Sequence, residues 1–211
     1  MMLNIQFVNP SFEGVVVMGH SQAEKLRSHE RIVQLAAERF REMGIDGISV
    51  ADLMKEAGLT HGGFYKHFPS RDALVTEAVT AALASGAQIT ARVEMQEPSI
   101  AVRTLIKGYL SPAHRDSKAR GCAVVALATD VGRSNPRVRA AFTAQISRYL
   151  DLLKGLSGDT NKKKARQRAI MTLSALVGAL SLARAVDDDA LSIEILQATS
   201  ETLISSMQEP S

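Results

Sequence analysis

From Ser21 onward, apolar residues recur three and four positions apart through almost the whole chain. In the first long segment this spacing places a set of apolar side chains on one face: Leu26, Ile32, Val33, Leu35, Ala36, Phe40 and Met43. Such spacing returns side chains to one side of an α-helix, whereas a half-buried strand needs strict alternation. No run of strand length alternates between turn signals. The sequence therefore predicts an all-α fold.

Residues that cap or end helices divide this pattern into segments. Gly44 can end the first helix in a left-handed conformation, and Ser70 can cap the longest one. In the N-terminal third we expect helices over about 22–43, 49–58, 60–69 and 70–94. Beyond Pro98 we expect them over about 98–110, 121–132, 136–156, 161–186 and 188–207.

The composition limits the class of protein. The 211 residues are 45% hydrophobic and 22% charged, which excludes collagen-like, disordered and multipass membrane chains. A single cysteine excludes an internal disulfide framework and a cysteine-cluster zinc site, and it fits a reducing compartment. The middle helices lack a carboxylate cluster or histidine pair with metal-ligand spacing, so we predict no metal and no other cofactor. The short apolar run 14–18 lacks the flanking regions of a signal peptide, and a cytoplasmic location without membrane association is expected.

The net charge of +3 does not by itself indicate a nucleic-acid partner. Eight lysines and arginines accompany nine acids through Asp72, and 17 accompany 13 beyond it, so the balances are −1 and +4. If the first third of the chain binds DNA, the local arrangement of its residues must provide the evidence.

Residues 49–68 have the pattern of a helix-turn-helix. A first helix with Asp52 as capping-box partner of Ser49 would bury Val50, Leu53 and Met54. Gly58 permits the sharp turn, and Thr60 begins a second helix whose N-terminal residues face outward. These outward residues are the ones that would meet a DNA major groove.

Two consecutive glycines, Gly62 and Gly63, lie in this second helix, where each costs roughly 1 kcal/mol relative to alanine. Positions without a side chain let a backbone approach a phosphate or a base edge closely. No acid occurs over 59–71, which contains four potential donors: His61, Lys66, His67 and Arg71. The alternative is that the glycines form an ordinary loop and the histidines are incidental surface residues.

Residues 25–74 resemble the DNA-binding head of the TetR/AcrR family of transcriptional repressors. The matching residues are Ala57, Gly58, Leu59, Thr60, Gly62, Phe64, Tyr65, His67, Phe68 and Ser70, with Arg31, Ile32, Val33, Ala36, Ala37, Phe40 and Gly44 before them and Leu74 after them. Arg71 stands where lysine is usual, a change that should preserve phosphate binding. Phe64 and Phe68 point back into the head by helical spacing and are expected in its core.

The resemblance implies that double-stranded operator DNA is a partner. It assigns base edges to Thr60, His61, Gly62 and Gly63, and backbone phosphates to Tyr65, Lys66, His67 and Arg71. Ser49, at the start of the first motif helix, is expected to add another contact. His61 is the candidate for direct base readout, since an imidazole can donate to guanine N7 or O6.

The last two helices carry wide apolar faces. They are formed by Ala169, Leu173, Leu176, Val177 and Leu180 in one helix and by Leu191, Ile195, Ala198, Thr199 and Leu203 in the other. These faces could simply close the core of the monomer. The resemblance implies instead that they pair across a two-fold axis as a four-helix bundle. A homodimer would present two heads to a palindromic operator, and one short helix alone reads too few base pairs.

The resemblance also implies that the middle helices form an effector chamber. The candidates for its lining are Leu105, Tyr109, Cys122, Val125, Phe142, Ile146, Tyr149 and Ser174. Their apolar or mildly polar character favours a small apolar or electrophilic effector. Plain core packing is the alternative for most of them.

Cys122 allows two interpretations. It opens a helix after Arg120, where the helix dipole and the neighbouring charge would make a thiol more reactive. Gly121-Cys122 also resembles one branch of the family, in some members of which a cysteine near this point senses electrophiles or oxidants. The alternative is a small buried residue that packs the start of the helix.

The function predicted from the sequence is therefore a ligand-responsive DNA-binding regulator, expected to be a repressor that an inducer releases. An activator or a ligand-insensitive DNA-binding protein of the same fold remains an alternative. Pairing of Cys122 with His114 as nucleophile and base lacks a third partner, so an enzyme is not expected.

We expect an N-terminal extension or disordered arm over 1–20, a helix-turn-helix domain over 21–69 and an effector-binding and dimerisation domain over 70–211. Met18 precedes a polar, helix-ready sequence and is a candidate for the natural start. The other interpretation keeps Met1 as the start and 1–20 as a loosely docked arm.

Overall fold

The computed structural model describes residues 16–94 and 97–208, and within these ranges it contains helices and no strand. The α-helices are α1 (Val16–Met43), α2 (Val50–Glu56), α3 (Arg71–Glu94), α4 (Pro98–Tyr109), α5 (Pro112–Asp116), α6 (Ala123–Gly132), α7 (Pro136–Leu156), α8 (Lys162–Ala185) and α9 (Asp189–Gln208). A 3-10 helix (His61–Lys66) lies between α2 and α3. The predicted all-α fold with an N-terminal helix-turn-helix is confirmed.

Three elements differ from the boundaries expected from the sequence. Helix α1 begins at Val16 rather than near residue 22, so 16–20 of the predicted arm are helical, and 1–15 lie outside the described residues. The second motif helix is a 3-10 helix, since two adjacent glycines weaken an α-helix over so short a length. Helix α5 was not predicted: Ser111 caps it and Pro112 occupies its first turn, so the apparent break is a helix start.

Glycine and serine residues fix the turns of the N-terminal helices. Gly44 and Gly58 adopt φ values of +81° and +71° at the ends of α1 and α2, as predicted. The Ser49 hydroxyl accepts a hydrogen bond from the Asp52 amide at 3.1 Å and donates to the Asp52 carboxylate at 2.6 Å. The Ser70 hydroxyl accepts from the amide of Ala73 at 3.1 Å and so caps α3.

The core of the N-terminal helices continues into the rest of the molecule. Phe64 and Phe68 are buried there, as predicted, with ring centroids 5.5 Å apart. One connected cluster of buried residues joins α1, α2 and the 3-10 helix to α3 and α6: it includes Ile32, Phe40, Leu53, Met54, Phe64, Phe68, Leu74, Val79, Val124 and Leu127. The expected boundary between residues 69 and 70 therefore does not separate two cores.

Polar contacts add to this apolar junction. The Ile45 amide, just after α1, donates to the Asp130 carboxylate of α6 at 2.9 Å. Arg41 of α1 donates from Nε to the carbonyl of Ala119 at 2.5 Å and from Nη1 to the carbonyl of Ala82 at 3.4 Å. Because burial is the main influence on this guanidinium, its pKa is lowered from the ordinary value. Helix α1 is thus held to the segment before α6 and to α3 by one side chain.

His114 and Arg184 hold the connection between α4 and α6. Nδ1 of His114 lies 2.7 Å from the carbonyl oxygen of Tyr109, and Nε2 accepts the Cys122 amide at 3.2 Å. A carbonyl needs a donor and an amide needs an acceptor, so the proton resides on Nδ1 and the ring is neutral. Arg184 of α8 donates to the carbonyls of His114 and Arg115, each at 3.0 Å. A Cβ at Gly121 would lie 2.5 Å from the backbone carbonyl oxygen of Ser117 and 2.5 Å from Arg184 Nη2, so this crossing requires glycine.

One described helix, α8, is long and apolar enough to cross a membrane by length and composition alone. It packs between α7 and α9, and Leu176, Leu180 and Ala183 are buried in that packing. A core helix passes the same test of length and composition.

Replacement of Gly58 by alanine should lower the free energy of unfolding by about 1–2 kcal/mol, because an L residue at this positive φ is strained. No atom lies within 4 Å of the added methyl group, so a steric clash contributes nothing. Urea titration followed by circular dichroism measures the change. Gly155→Ala is the matched control, since Gly155 lies within α7 without a positive φ and with open space around it. Equal losses in the two variants would contradict this account.

Acidification should destabilise the protein through His114. Burial lowers the pKa of His114 below its ordinary 6.5, although the hydrogen bond to the Tyr109 carbonyl opposes the shift. The unfolded chain therefore takes up this proton first, and the free energy of unfolding falls as the pH decreases below roughly 6.5. His114→Gln should flatten that pH dependence, measured by urea titrations between about pH 5 and pH 7.5. An unchanged slope would show that His114 does not contribute.

His67 contributes in the same direction, because burial also lowers its pKa. The His67→Gln variant separates its share, and the double variant should show the smallest slope.

Candidate functional site

The 3-10 helix presents an exposed surface without acids. Thr60, His61, Gly62, Tyr65 and Lys66 are exposed, and Tyr65 retains 71% of its accessible surface. Phe64, between them in sequence, anchors the opposite side in the core. Solvated donors and one aromatic ring on a rigidly anchored helix can meet a phosphate backbone and base edges.

The glycines of this helix leave room at the surface. A Cβ added at Gly62 would meet no atom within 4 Å, and one at Gly63 would make only ordinary contacts with Thr60 and Met54. Neither glycine has a positive φ. The fold therefore does not require glycine at 62, and an approaching surface is one reason for its presence.

Two of the predicted DNA-contacting residues also make hydrogen bonds within the protein. Arg71 donates from Nη2 to the carbonyl of Ile45 at 2.6 Å and to the Asp46 carboxylate at 3.0 Å. Ser49 caps α2. Both side chains thus fix the segment that precedes α2, Arg71 its loop and Ser49 its helix start, and a phosphate would be a further partner for them.

His67 lies at the end of the 3-10 helix against α1. Its ring centroid is 6.2 Å from that of His29, and its Nδ1 is buried without a hydrogen-bond partner. Burial lowers the pKa of His67, and the charges of His29, Lys25 and Lys66 act in the same direction. His29 in turn contacts the Glu77 carboxylate at 2.6 Å and stacks on Phe68. Lys25 and Lys66 therefore add positive charge on both sides of this histidine.

A cavity of about 500 Å³ lies among the helices that follow. Helices α3 and α4 contribute Ser85, Gly86, Val93, Thr104, Leu105, Gly108 and Tyr109 to its wall. The segment from α5 to the first turn of α6 contributes His114, Arg120, Gly121, Cys122, Ala123 and Val124. Helices α7 and α8 contribute Tyr149, Leu152, Leu153, Leu173, Leu176 and Val177. Its volume and mostly apolar wall are those of a small-molecule site.

The structure brings together four of the eight side chains that the sequence assigned to an effector chamber: Leu105, Tyr109, Cys122 and Tyr149. The other four lie outside this wall: Val125, Phe142, Ile146 and Ser174. Ser174 is exposed, and Phe142 and Ile146 pack against the core cluster shared with α1. On α7 the helical register, which sequence pattern cannot fix, brings Tyr149 to the cavity wall as well as to that core, whereas Phe142 and Ile146 do not reach the wall.

Residues that sequence reasoning missed include Gly86 and His114. The Tyr149 hydroxyl lies 1.8 Å from the point that a Cβ of Gly86 would occupy, so glycine leaves room for the Tyr149 side chain against α3. A glycine inside a predicted helix was the only signal for this contact. The sequence suggested His114 only as a base beside Cys122 in an enzyme, whereas in the structure its Nε2 accepts the Cys122 amide, a contact that depends on the unpredicted helix α5.

The polar atoms of the cavity lie around Cys122, which is half-buried and precedes α6. Its sulfur is near enough to the guanidinium groups of Arg41 and Arg184 for its charge to favour their protonated forms. Burial raises the pKa of Tyr109 far above its ordinary value and that of Tyr149 to about 12, and Cys122 contributes to both shifts. Both phenols therefore carry their protons at neutral pH.

In the described residues, no group of three or more histidine, cysteine or acidic side chains is arranged to hold a metal ion.

Comparison with known proteins identifies both halves of the chain. Residues 32–78 match the model of bacterial regulatory proteins of the TetR family. Residues 98–198 match the C-terminal domain described as that of LmrA/YxaF-like transcriptional regulators. The first match covers the helix-turn-helix, and the second covers most of the cavity wall.

The curated relatives match only in the N-terminal part. The chain is 43% identical over 47 residues to the uncharacterised HTH-type transcriptional regulator YvdT of Bacillus subtilis, and 30% identical over 59 residues to YdgC of the same organism. These matches cover 22% and 28% of the chain, and 24% and 30% of the two relatives. The chain therefore matches less than a third of the length of either relative.

Solved structures match the fold over almost their whole length. A TetR transcriptional regulator from Chloroflexus aurantiacus gives a TM-score of 0.75 at 22% identity, over 89% of the chain and 97% of that protein. NemR of E. coli in its reduced form gives 0.71 at 17% identity, over 84% and 95%. A TetR-family regulator from Agrobacterium tumefaciens gives 0.72 at 22% identity, over 84% and 98%.

The matched proteins are transcriptional regulators, which confirms the interpretation that this chain is not an enzyme. With an exposed helix-turn-helix on a fully helical body and family models matching both, the chain belongs to the TetR family of DNA-binding transcriptional regulators.

Proposed function

We propose that this protein is a cytoplasmic, ligand-responsive repressor that binds a palindromic operator as a homodimer and is released by a small-molecule inducer. The observation that carries the proposal is the sharing of α3 and α6 between the cavity wall and the core that supports the helix-turn-helix. A molecule that enters the cavity therefore touches the same helices that position the DNA-binding surface.

In this proposal the 3-10 helix enters the major groove. Thr60, His61, Gly62 and Gly63 face base edges, with His61 as the donor for direct readout. The contacts to phosphate come from Ser49, Tyr65, Lys66, His67 and Arg71. The exposure of Tyr65 and Lys66 supports their role. Arg71 would bind phosphate while its contacts with Ile45 and Asp46 hold its direction.

The proposed dimer forms through α8 and α9. Met171 and Leu182 of α8 retain 69% and 59% of their accessible surface. Ala175 and Gly178 fall between them at helical spacing, so one face of α8 combines exposed apolar ends with a small-residue centre. Leu191 of α9 is 42% exposed. Such a face suits close packing against the same helices of a second copy.

Release would follow from a change in the distance between the two heads. The cavity is bounded by Gly86 of α3 and by Cys122 at the start of α6. Arg41 and Asp130 join that region to α1. A small rotation of α3 or α6 would move the two recognition surfaces out of register with successive major grooves, and a coupling of about 1–3 kcal/mol gives a tenfold or larger loss of affinity.

A footprint of the protein on the DNA upstream of its own gene tests the proposal. We expect protection of a palindrome, with affinity falling steeply between about 50 and 200 mM salt. Lys66→Ala should weaken binding and reduce the salt slope by about 1, because one phosphate contact is lost. Lys118→Ala is the matched control, since Lys118 is an exposed lysine of the body. Absence of any protected site in a genome-wide selection would overturn the assignment.

Cys122 is proposed as an input for electrophiles. It lines the cavity, and it is the only cysteine of the 211 residues. Addition of its thiolate to an activated carbon–carbon double bond would form a C–S bond and break the π bond, and the adjacent carbon would take a proton from water. The reaction would place a new group inside the cavity wall, at the start of α6.

Cys122→Ser should keep operator binding but abolish release by N-ethylmaleimide. In a gel-shift assay the reagent should remove the shifted DNA band of the wild type and leave that of the variant. Cys122→Ala provides a second variant without a hydroxyl, so that a local effect of serine is recognised. Release of both variants at the wild-type reagent concentration would refute the sensor role and leave the DNA-binding proposal intact.

A further inference from the structure

The hydroxyl group of Tyr109 is a buried donor without an oxygen or nitrogen acceptor among the described residues. The partner it does have is the Cys122 thiol, whose contact contributes to its raised pKa. Tyr109 forms part of the cavity wall. A buried hydroxyl that has only a weak sulfur acceptor gives up most of the hydrogen bonding that water offers, so its retention at this place needs an explanation. A ligand acceptor in the cavity would provide one.

Three other polar side chains of this wall, those of His114, Ser85 and Tyr149, already have partners. Both ring nitrogens of His114 are engaged by the Tyr109 carbonyl and the Cys122 amide. The Ser85 hydroxyl donates to the carbonyl of Ala82 at 2.7 Å. The Tyr149 hydroxyl packs on the α3 backbone, and its contact with Gln145 influences its pKa.

The thiol of Cys122 is close enough to contribute to the raised pKa of Tyr109, but sulfur is a weak acceptor. It does not replace the missing oxygen or nitrogen partner. The raised pKa keeps the phenol of Tyr109 protonated. The missing partner must therefore be a group that accepts a hydrogen bond.

The described wall offers a charged ligand no cation that is not already committed to the protein. The permanently charged side chain of the wall is Arg120, which is 82% exposed and lies 3.9 Å from the Glu38 carboxylate, so it belongs to the rim. His114 is neutral because of its two hydrogen bonds. The guanidinium groups of Arg41 and Arg184 lie near Cys122, and both donate to backbone carbonyls. A carboxylate carried into the cavity would lose its hydration and meet only these two committed guanidinium groups.

We propose that the cavity recognises a neutral, mostly apolar molecule that bears a carbonyl or similar acceptor, and that Tyr109 selects it by donating a hydrogen bond to that acceptor. This inference rests on the proposal that the cavity is the effector site. In this proposal Tyr109 distinguishes apolar molecules of equal size by whether they carry a hydrogen-bond acceptor. The apolar wall determines the overall affinity.

Calorimetry of the free protein with matched ligands tests this selection. The probes are 2-acetylnaphthalene, which carries a carbonyl, and 2-ethylnaphthalene, which has nearly the same shape without it. Tyr109→Phe should weaken binding of the ketone about five- to tenfold and leave binding of the hydrocarbon unchanged. The thermal unfolding temperature of Tyr109→Phe should stay close to that of the wild type, because the lost hydroxyl had only a weak sulfur acceptor.

Tyr149→Phe is the matched control, since it removes a hydroxyl from another side of the same cavity. It should not change the preference for the ketone. Equal weakening of both probes in Tyr109→Phe, a ketone-selective loss in Tyr149→Phe instead, or tighter binding of 2-naphthoate than of the ketone would each overturn the inference. So would failure of both neutral probes to bind the wild type. These measurements use no DNA, so they are independent of the operator footprint.

Discussion

The apolar junction between α1, α3 and α6 supports both the helix-turn-helix and one side of the cavity. Leu127 of α6 is buried in the same cluster as Ile32 of α1 and Phe68 at the end of the helix-turn-helix. A short 3-10 helix with two glycines has little stability of its own. It holds its position because Phe64 and Phe68 are anchored in a core to which α3 and α6 also contribute. The position of the 3-10 helix therefore depends on its packing against those two helices.

The same junction brings the cavity close to the DNA-binding helices. The cavity wall includes residues of α3 and of the segment just before α6. Arg41 of α1 donates to the carbonyls of Ala82 in α3 and of Ala119 in that segment. Buried hydrogen bonds of this kind resist small independent displacements, since each broken one leaves a polar group without a partner. The hydrogen bonds of Arg41 to Ala119 and Ala82 consequently connect the orientation of α1 to the segments that carry the cavity wall.

Much of the fold could be predicted from the sequence, because its signals are local. Spacing of apolar residues gave the helices, and the left-handed glycines Gly44 and Gly58 marked two of their ends. Helix α5 escaped because Ser111-Pro112 was interpreted as a break, although a serine cap followed by proline also begins a helix. The domain boundary expected near residue 70 coincides with the end of the helix-turn-helix motif. No local sequence pattern indicates that the buried core continues across this position.

The cavity depended on distant contacts and was predicted less completely. Tyr109 and Cys122 were expected in it, while His114 and Gly86 were not, and Phe142 and Ile146 turned to the core instead. The sequence by itself determined the helical fold, the helix-turn-helix and the acid-free surface, because each follows from residues within a few turns of one another. Only the tertiary structure decided which side chains face the cavity and which polar atoms there lack an oxygen or nitrogen partner. Those properties depend on the rotation of packed helices, which residues far apart in the sequence set together.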